Sequence, residues 1–245
     1  MPTIAAAAIT DIGRVRFANE DAVFAADPVY VVADGMGGHA GGRLASAAAV
    51  AALAALTRQA APLGQDQVRA ALGDAQGAVR RLAERGQRRA AGTTISGAVV
   101  ISQDGQAQWL IVNLGDSRTY RFADGVLEQL TVDHSEVQEL VDAGRISPAQ
   151  ARSHPRRHVV TRALGAGVDF EPDCRLEPLR AGDRLLVCSD GLTGEVDDRR
   201  IERLLAAWRD PSQAARALVD EALRLGGADN VSVVVADVID AAPWD

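Results

Sequence analysis

Lysine is missing altogether, and all 26 basic residues of this chain are arginine. A Walker-type nucleotide site and a Schiff-base enzyme each require a lysine, so both mechanisms are excluded. Cysteine is reduced to Cys174 and Cys188, too few for a disulfide framework and without the paired spacing of a zinc site. A reducing cytoplasm suits such a chain. Histidine, at four residues, is too scarce for an imidazole-built metal centre. Excess positive charge is absent too: 33 acidic residues leave a net charge of -7, so no overall field draws the protein to nucleic acid. Nor is there an apolar run long enough to span a bilayer. The longest, Leu44 to Leu56, has 13 residues where about 20 are needed, and its alanine content suits a core helix. The early stretch IAAAAI has no basic residue before it and runs directly into Asp11, unlike a secretion leader.

What is present is enough for one well-packed domain, since 47% of the 245 residues are hydrophobic. Strand-like runs rich in valine, isoleucine, threonine and aromatics occur at VFAADP, VYVVAD, TTISGAVVIS, QWLIVNLG, SRTYRF, VLEQLT, RLLVCSD and VSVVVADV. Helical patterns come in pairs, about 40–58 with 66–86 and 198–208 with 212–225, which argues against repeated βαβ units. SRTYRF and VLEQLT flank Ala123, Asp124 and Gly125, and Asp-Gly is a tight-hairpin dipeptide. The sheets are therefore expected to be largely antiparallel. Between 133 and 164 the pattern turns short and polar, as in an inserted flap. No repeat or linker divides the chain, so residues 1–245 are read as one domain. The arginine cluster at 80–89 reads as a solvated helix end.

The stretch VVADGMGGHAGG, residues 31 to 42, ends a core strand on an acid and then uses five glycines in eight positions. Glycine weakens regular structure unless the backbone must turn tightly or something must approach it closely. Other aspartates stand in the same kind of place: Asp116 after WLIVNLG, Asp190 after LLVCS and Asp229 before VSVVV. Each alone is an ordinary turn or cap residue. Together with Asp21 of RFANEDA they form a set of hard oxygen donors at strand ends, the ligands that Mg²⁺ or Mn²⁺ prefers.

TDIGRVRFANEDA, VVADGMGGHAGG, AGTTISGAVV, NLGDSRTYR, TVDHS, TRALG, LLVCSDGLTGEV and GGADNVSVVV, in this order between residues 10 and 238, resemble the motifs of the metal-dependent protein phosphatase 2C (PPM) family, especially its bacterial members. The resemblance implies an α+β fold, a four-layer α-β-β-α sandwich of two mostly antiparallel sheets flanked by helix pairs. It also implies hydrolysis of phosphoserine and phosphothreonine in proteins by a water activated between two Mn²⁺ or Mg²⁺ ions. Paired ions about 3.5 to 4 Å apart lower the pKa of such a water and neutralise the phosphate dianion. By resemblance, Asp34 bridges both metals, the Gly35 carbonyl joins it, Asp190 and Asp229 hold one ion, and Glu20 with Asp21 approaches the other through waters. Asp116 with Asp190 holds a third, looser ion, and Arg16 grips the substrate phosphate, a task suited to its planar fork of donors. Phosphorylated proteins, including a Ser/Thr kinase and its substrates, are the implied partners of a cytoplasmic monomer. Asp11 and Asn19 are expected to orient the first motif by hydrogen bonds. Gly37, Gly38, Gly41 and Gly42 are expected only to permit a loop and a close helix start.

The pattern departs from many eukaryotic relatives after Asp34-Gly35, where their histidine, a suspected proton donor, is replaced by Met36. His39 is the nearest substitute as a catalytic acid, with a metal-bound water as the alternative; His134 is assigned packing at the start of the flap. Cys174 and Arg180 have the Cys-x5-Arg spacing of cysteine-dependent phosphatases, but Pro178 has no NH to aim at phosphate, Glu177 would repel it, and the segment alternates like a strand. Two other functions are compatible with the residues: a catalytically silent module of the same fold that binds phosphoproteins, and a phosphomonoesterase for small molecules. HPRRH, 154–158, could touch acidic or phosphorylated protein surface, and a solvated loop explains it equally well.

Overall fold

The computed structural model describes residues 2–37, 40–60, 62–84, 91–165 and 171–241. Two five-stranded antiparallel sheets form its centre. The first has the order β1 (Thr3–Asp11), β12 (Val231–Asp240), β11 (Arg184–Cys188), β8 (Arg118–Ala123) and β9 (Val126–Gln129). The second has the order β10 (Asp173–Pro178), β7 (Gln106–Leu114), β6 (Ile95–Gln103), β3 (Val29–Ala33) and β2 (Ala22–Ala26). A two-stranded ribbon pairs β4 (Gly35–Met36) with β5 (Gly92–Thr93). Helices α1 (Ala40–Ala54) and α2 (Gln65–Glu84) pack together over the second sheet, and α6 (Asp198–Ala207) and α7 (Pro211–Leu225) cover the first. Arg80 and Arg81 are exposed on α2, while residues 85–89 of the same arginine cluster lie outside the described residues. Among the described residues no helix is long and apolar enough to cross a membrane.

The apolar runs are continuous because each central strand is buried on both faces. In β3, Val29, Val31 and Ala33 face α1 and α2, while Tyr30 and Val32 enter the core between the sheets. β12 divides in the same way: Val231, Val233 and Val235 pack under α6 and α7, while Val234, Ala236 and Val238 point at the opposite sheet. Successive side chains of a strand point to opposite faces, so three apolar layers separate the four structural ones. Tyr30 and Trp109 meet edge to face between the sheets, with ring centroids 5.5 Å apart. The four-layer α-β-β-α arrangement expected of this sequence is thus present.

In the two large sheets one strand escaped the reading by propensity. β1 is built largely from alanine, a residue depleted in strands, yet it pairs with β12 from Thr3 to Asp11. β10 lies at the edge of the second sheet, paired with β7. Cys174 therefore stands in a regular strand and packs against the α1/α2 core, and burial pushes its thiol above the ordinary value. The segment expected as a flap carries two short helices, α3 (Glu136–Asp142) and α4 (Pro148–Arg152), capped by the hydroxyls of Ser135 and Ser147.

The pairing directions also settle which strand ends meet. β3 and β7 both run antiparallel to β6 and so end on the same side. Cys188, the last residue of β11, lies beside Val233 near the start of β12 and beside Arg118 at the start of β8. Asp34, Asp116, Asp190 and Asp229 therefore emerge at one end of the sandwich.

Candidate active site

A cleft of about 850 Å³ opens at that end, lined by Arg16, Glu20, Asp34, Gly35, Asp116, Asp190 and Asp229 among others. Each group is fixed by its own local device. Asp34 leaves β3 with its N–H donating to Thr94 Oγ1 at 2.9 Å, and its carbonyl accepts from Thr93 Oγ1 at 2.8 Å. Asp190 opens the short helix α5 (Asp190–Thr193) directly after β11. Asp116 is buried in the turn between β7 and β8. Asp21 does not line the cleft but lies buried beside it, where Ser189 Oγ donates to its Oδ2 at 2.9 Å.

The glycines after Asp34 serve close packing. A Cβ on Gly35 would stand 2.4 Å from the Gly42 carbonyl oxygen and 2.5 Å from that of Glu20, and one on Gly42 would stand 2.6 Å from Glu20 Oε2. Start of α1, strand end and acidic motif thus interlock without room for a side chain. Gly41 is different, because its Cβ would make only an ordinary contact with Ala91. Gly38 and His39, the residue expected as proton donor, lie outside the described residues.

Arg16 Nη2 donates to Asp229 Oδ2 at 2.6 Å while the arginine side chain remains 57% exposed, so its fork is held at the cleft yet open to an incoming anion. Asp11 accepts from the Gly13 N–H at 2.8 Å. Asn19 donates to Thr10 Oγ1 and accepts from the Asp21 N–H, which is the orienting duty expected of both.

The electrostatics show what the cleft needs. Burial raises Asp34 and Asp116 well above the usual carboxylate range, with the charge of Asp21 next in effect for Asp34 and that of Asp190 for Asp116. Asp21 is raised to about 7, again mainly by burial. Burial also pushes Asp190 upward, but hydrogen bonds from His158 and Asp34 outweigh it and hold this group below its ordinary value. Asp21 Oδ1 and Asp190 Oδ1 are buried without a hydrogen-bond partner, a costly state for a carboxylate oxygen. Among the described residues no three acidic, histidine or cysteine side chains form a finished cage. The carboxylates surround the cleft instead, and their mutual repulsion gives a reason. Hard, clustered, under-satisfied carboxylate oxygens fit divalent cations such as Mg²⁺ or Mn²⁺, which supply the missing charge.

Three residues at the site were not singled out from sequence. Asn230, buried, clamps the first motif: its Nδ2 donates to the carbonyls of Ile12 and Ala18 at 2.8 and 3.0 Å, and its Oδ1 accepts from the Glu20 N–H at 2.9 Å. Ser189 ties Asp21 to β12, because its Oγ also accepts from the Ser232 N–H. His158 reaches in from the flap, with Nδ1 3.5 Å from Asp190 Oδ2. Within HPRRH, Arg157 and His158 line the cleft while Arg156 is paired with Glu136. His134 does more than pack: its Nδ1 accepts from the Gly115 N–H and its Nε2 meets Asp173 Oδ2, both at 3.1 Å, so it joins the flap to the Asp116 turn.

The chain is similar to known proteins over most of its length. The model of the family described as protein phosphatase 2C matches residues 16–225. The chain is 43% identical over 239 residues to the serine/threonine protein phosphatase PstP of Mycobacterium tuberculosis, covering 96% of this chain but only 45% of that protein. It is 38% identical to the serine/threonine phosphatase stp of Listeria monocytogenes, with 93% of each covered. A crystal structure of the PstP catalytic domain in complex with two manganese ions superposes with a TM-score of 0.88 at 40% identity, covering 97% of this chain and 99% of that one.

Proposed function

Because this chain belongs to the protein phosphatase 2C family, we propose that it hydrolyses phosphoserine and phosphothreonine in proteins with two Mn²⁺ or Mg²⁺ ions in its cleft. The observation that carries the proposal is the set of carboxylates, drawn from five separated stretches of chain, that meets at one cleft beside an arginine open to solvent. Asp34, Asp190, Asp229 and the Gly35 carbonyl would hold the paired ions, Glu20 and Asp21 would support one of them, and Asp116 with Asp190 offers a third, weaker position. Bound there, the ions would lower the pKa of a water and neutralise the phosphate it attacks.

The chain's own residues do the rest. Arg16 turns part of its fork from Asp229 to two phosphate oxygens, which places the phosphorus over the acids and sets the angle of attack. Ser189 and Asn230 keep Asp21 and the first motif from drifting under the repulsion of their neighbours. The departing serine or threonine oxygen needs a proton, for which two imidazoles are available: His39 at the motif position and His158, whose ring borders the cleft. Residues 133–164 act as the flap over this reaction. The substrates are phosphorylated proteins, among them a Ser/Thr kinase and its targets, met by a monomer in the cytoplasm. The free thiols Cys174 and Cys188 support that compartment.

The test is turnover of p-nitrophenyl phosphate and of a phosphothreonine peptide with and without Mn²⁺. Activity should require the metal, stop in EDTA and survive Cys174→Ala. Activity that ignores metal and disappears with Cys174→Ala refutes the proposal, and phosphopeptide binding without turnover at saturating Mn²⁺ identifies a silent module.

A further inference from the structure

The acidic cleft has an apolar rim that the hydrolytic step does not use. Phe17, next to Arg16, is fully exposed at 102% of its reference area, and Val15 on the other side is 64% exposed. Single apolar residues on a surface are ordinary, but these two are neighbours, and both line the same cleft as Arg16, Asp34 and Asp229. Met36 and Val160 line the cleft as well.

The exposure is built into the fold. The loop carrying Phe17 is pinned at alternate residues. The Ile12 and Ala18 carbonyls are held by Asn230, the Arg14 N–H donates to the Gly227 carbonyl at 2.8 Å, Arg14 Nε donates to the Leu223 carbonyl at 2.9 Å, and Arg16 is bound to Asp229. A loop held on both sides of an aromatic side chain presents that side chain at little further entropic cost on binding. Fixed aromatics with a dry contact to gain are the residues that dominate recognition.

We propose that Phe17 and Val15 form a specificity subsite that receives a large apolar side chain adjacent to the phosphorylated serine or threonine of a protein substrate. The inference rests on the phosphatase reading above and adds the kind of sequence that the cleft selects. Continuity with the cleft fixes the occupant: a chain whose phosphate reaches Arg16 must pass Phe17, the next residue.

The Mn²⁺-loaded protein would be assayed on five phosphothreonine peptides of glycine and serine, one without leucine and four with a single leucine at -2, -1, +1 or +2 from the phosphothreonine. In the wild type, leucine at one position should lower KM about tenfold with little change in kcat, equal to about 1.4 kcal/mol. Phe17→Ser should erase that preference and Phe17→Leu should keep most of it. Turnover of p-nitrophenyl phosphate, which has no flanking residue, should agree within about twofold in all three proteins. Five equivalent peptides in the wild type, a preference that survives Phe17→Ser, or an equal loss on p-nitrophenyl phosphate would each overturn the subsite. So would a dimer in sedimentation that Phe17→Ser dissociates without altering peptide preference, because the rim would then cover a second copy of the chain. Absence of turnover on every substrate refutes the phosphatase reading itself.

Discussion

Stripping divalent cations leaves the cleft acids facing one another, and the consequence is a folded state that loses stability as pH rises. Asp21 is the group for which the size of this effect follows from the structure. Burial is the largest cause of its rise from 3.8 to about 7, with the charges of Asp190 and Asp229 adding to it. A carboxyl whose folded pKa lies above its unfolded one binds more protons folded than unfolded between the two values, so stability falls across that window. At 1.36 kcal/mol per pH unit, Asp21 costs about 2 kcal/mol at pH 5.5 and about 4 kcal/mol at pH 8, a loss of about 2 kcal/mol over the interval. Asp34 and Asp116 are raised and act in the same direction. His134, which burial keeps neutral, acts in the opposite direction below about pH 6.5. Its contribution is common to wild type and Asp21→Asn and cancels in their difference. Urea unfolding in EDTA at both pH values should therefore show wild type losing about 2 kcal/mol more than Asp21→Asn between pH 5.5 and 8. Equal losses in the two proteins would refute the reasoning.

Other perturbations separate chemistry from scaffold. Asp190→Asn should reduce turnover of p-nitrophenyl phosphate by several orders of magnitude while circular dichroism and Tm stay near wild type; near-normal turnover would contradict the assignment of Asp190. Arg184 is buried, forms a two-pronged pair with Asp237 at 2.6 and 2.7 Å, and donates to the carbonyls of Leu205, Trp208 and Arg209 at the end of α6. Arg184→Met should cost about 3–5 kcal/mol and lower Tm by roughly 10 °C, with kcat at low temperature unchanged. Asn230→Ala should raise KM for phosphopeptides more than it lowers kcat, because the loop that aims Arg16 loses three hydrogen bonds, and should cost about 2 kcal/mol in stability by chemical denaturation.

The architecture could be read from sequence where side-chain chemistry and position agreed. The strand-end aspartates were visible because an acid that closes an apolar run stands out, and the register brought those strand ends together. The Asp124-Gly125 hairpin was legible for a similar reason: both residues have positive φ, 51° and 80°, the conformation this dipeptide accommodates. Asp104 and Gly105 form the same turn between β6 and β7, at 53° and 77°. β1 was illegible because alanine carries no strand signal, and only pairing with β12 makes it a strand. Asn230 and Ser189 could not be found by type, since their importance lies in atoms distant in sequence: 218 positions separate Asn230 from Ile12, and 168 separate Ser189 from Asp21. His158 was hidden inside a basic loop that a solvated surface explains equally well. Asp21 was recognised as one of the acids, but its place beside the cleft depends on how β2 of one sheet packs across β1 and β12 of the other.

Divalent cations are proposed to sit among these separated carboxylates, two of which, Asp34 and Asp116, burial inclines towards the protonated form in their absence. Calorimetric titration of Mn²⁺ into the EDTA-stripped protein at pH 7, run in two buffers of different ionisation enthalpy, tests this directly. Two ions should bind with net release of protons, and both should be lost in Asp34→Asn. Binding that releases no protons, or that survives Asp34→Asn unchanged, would contradict the proposal.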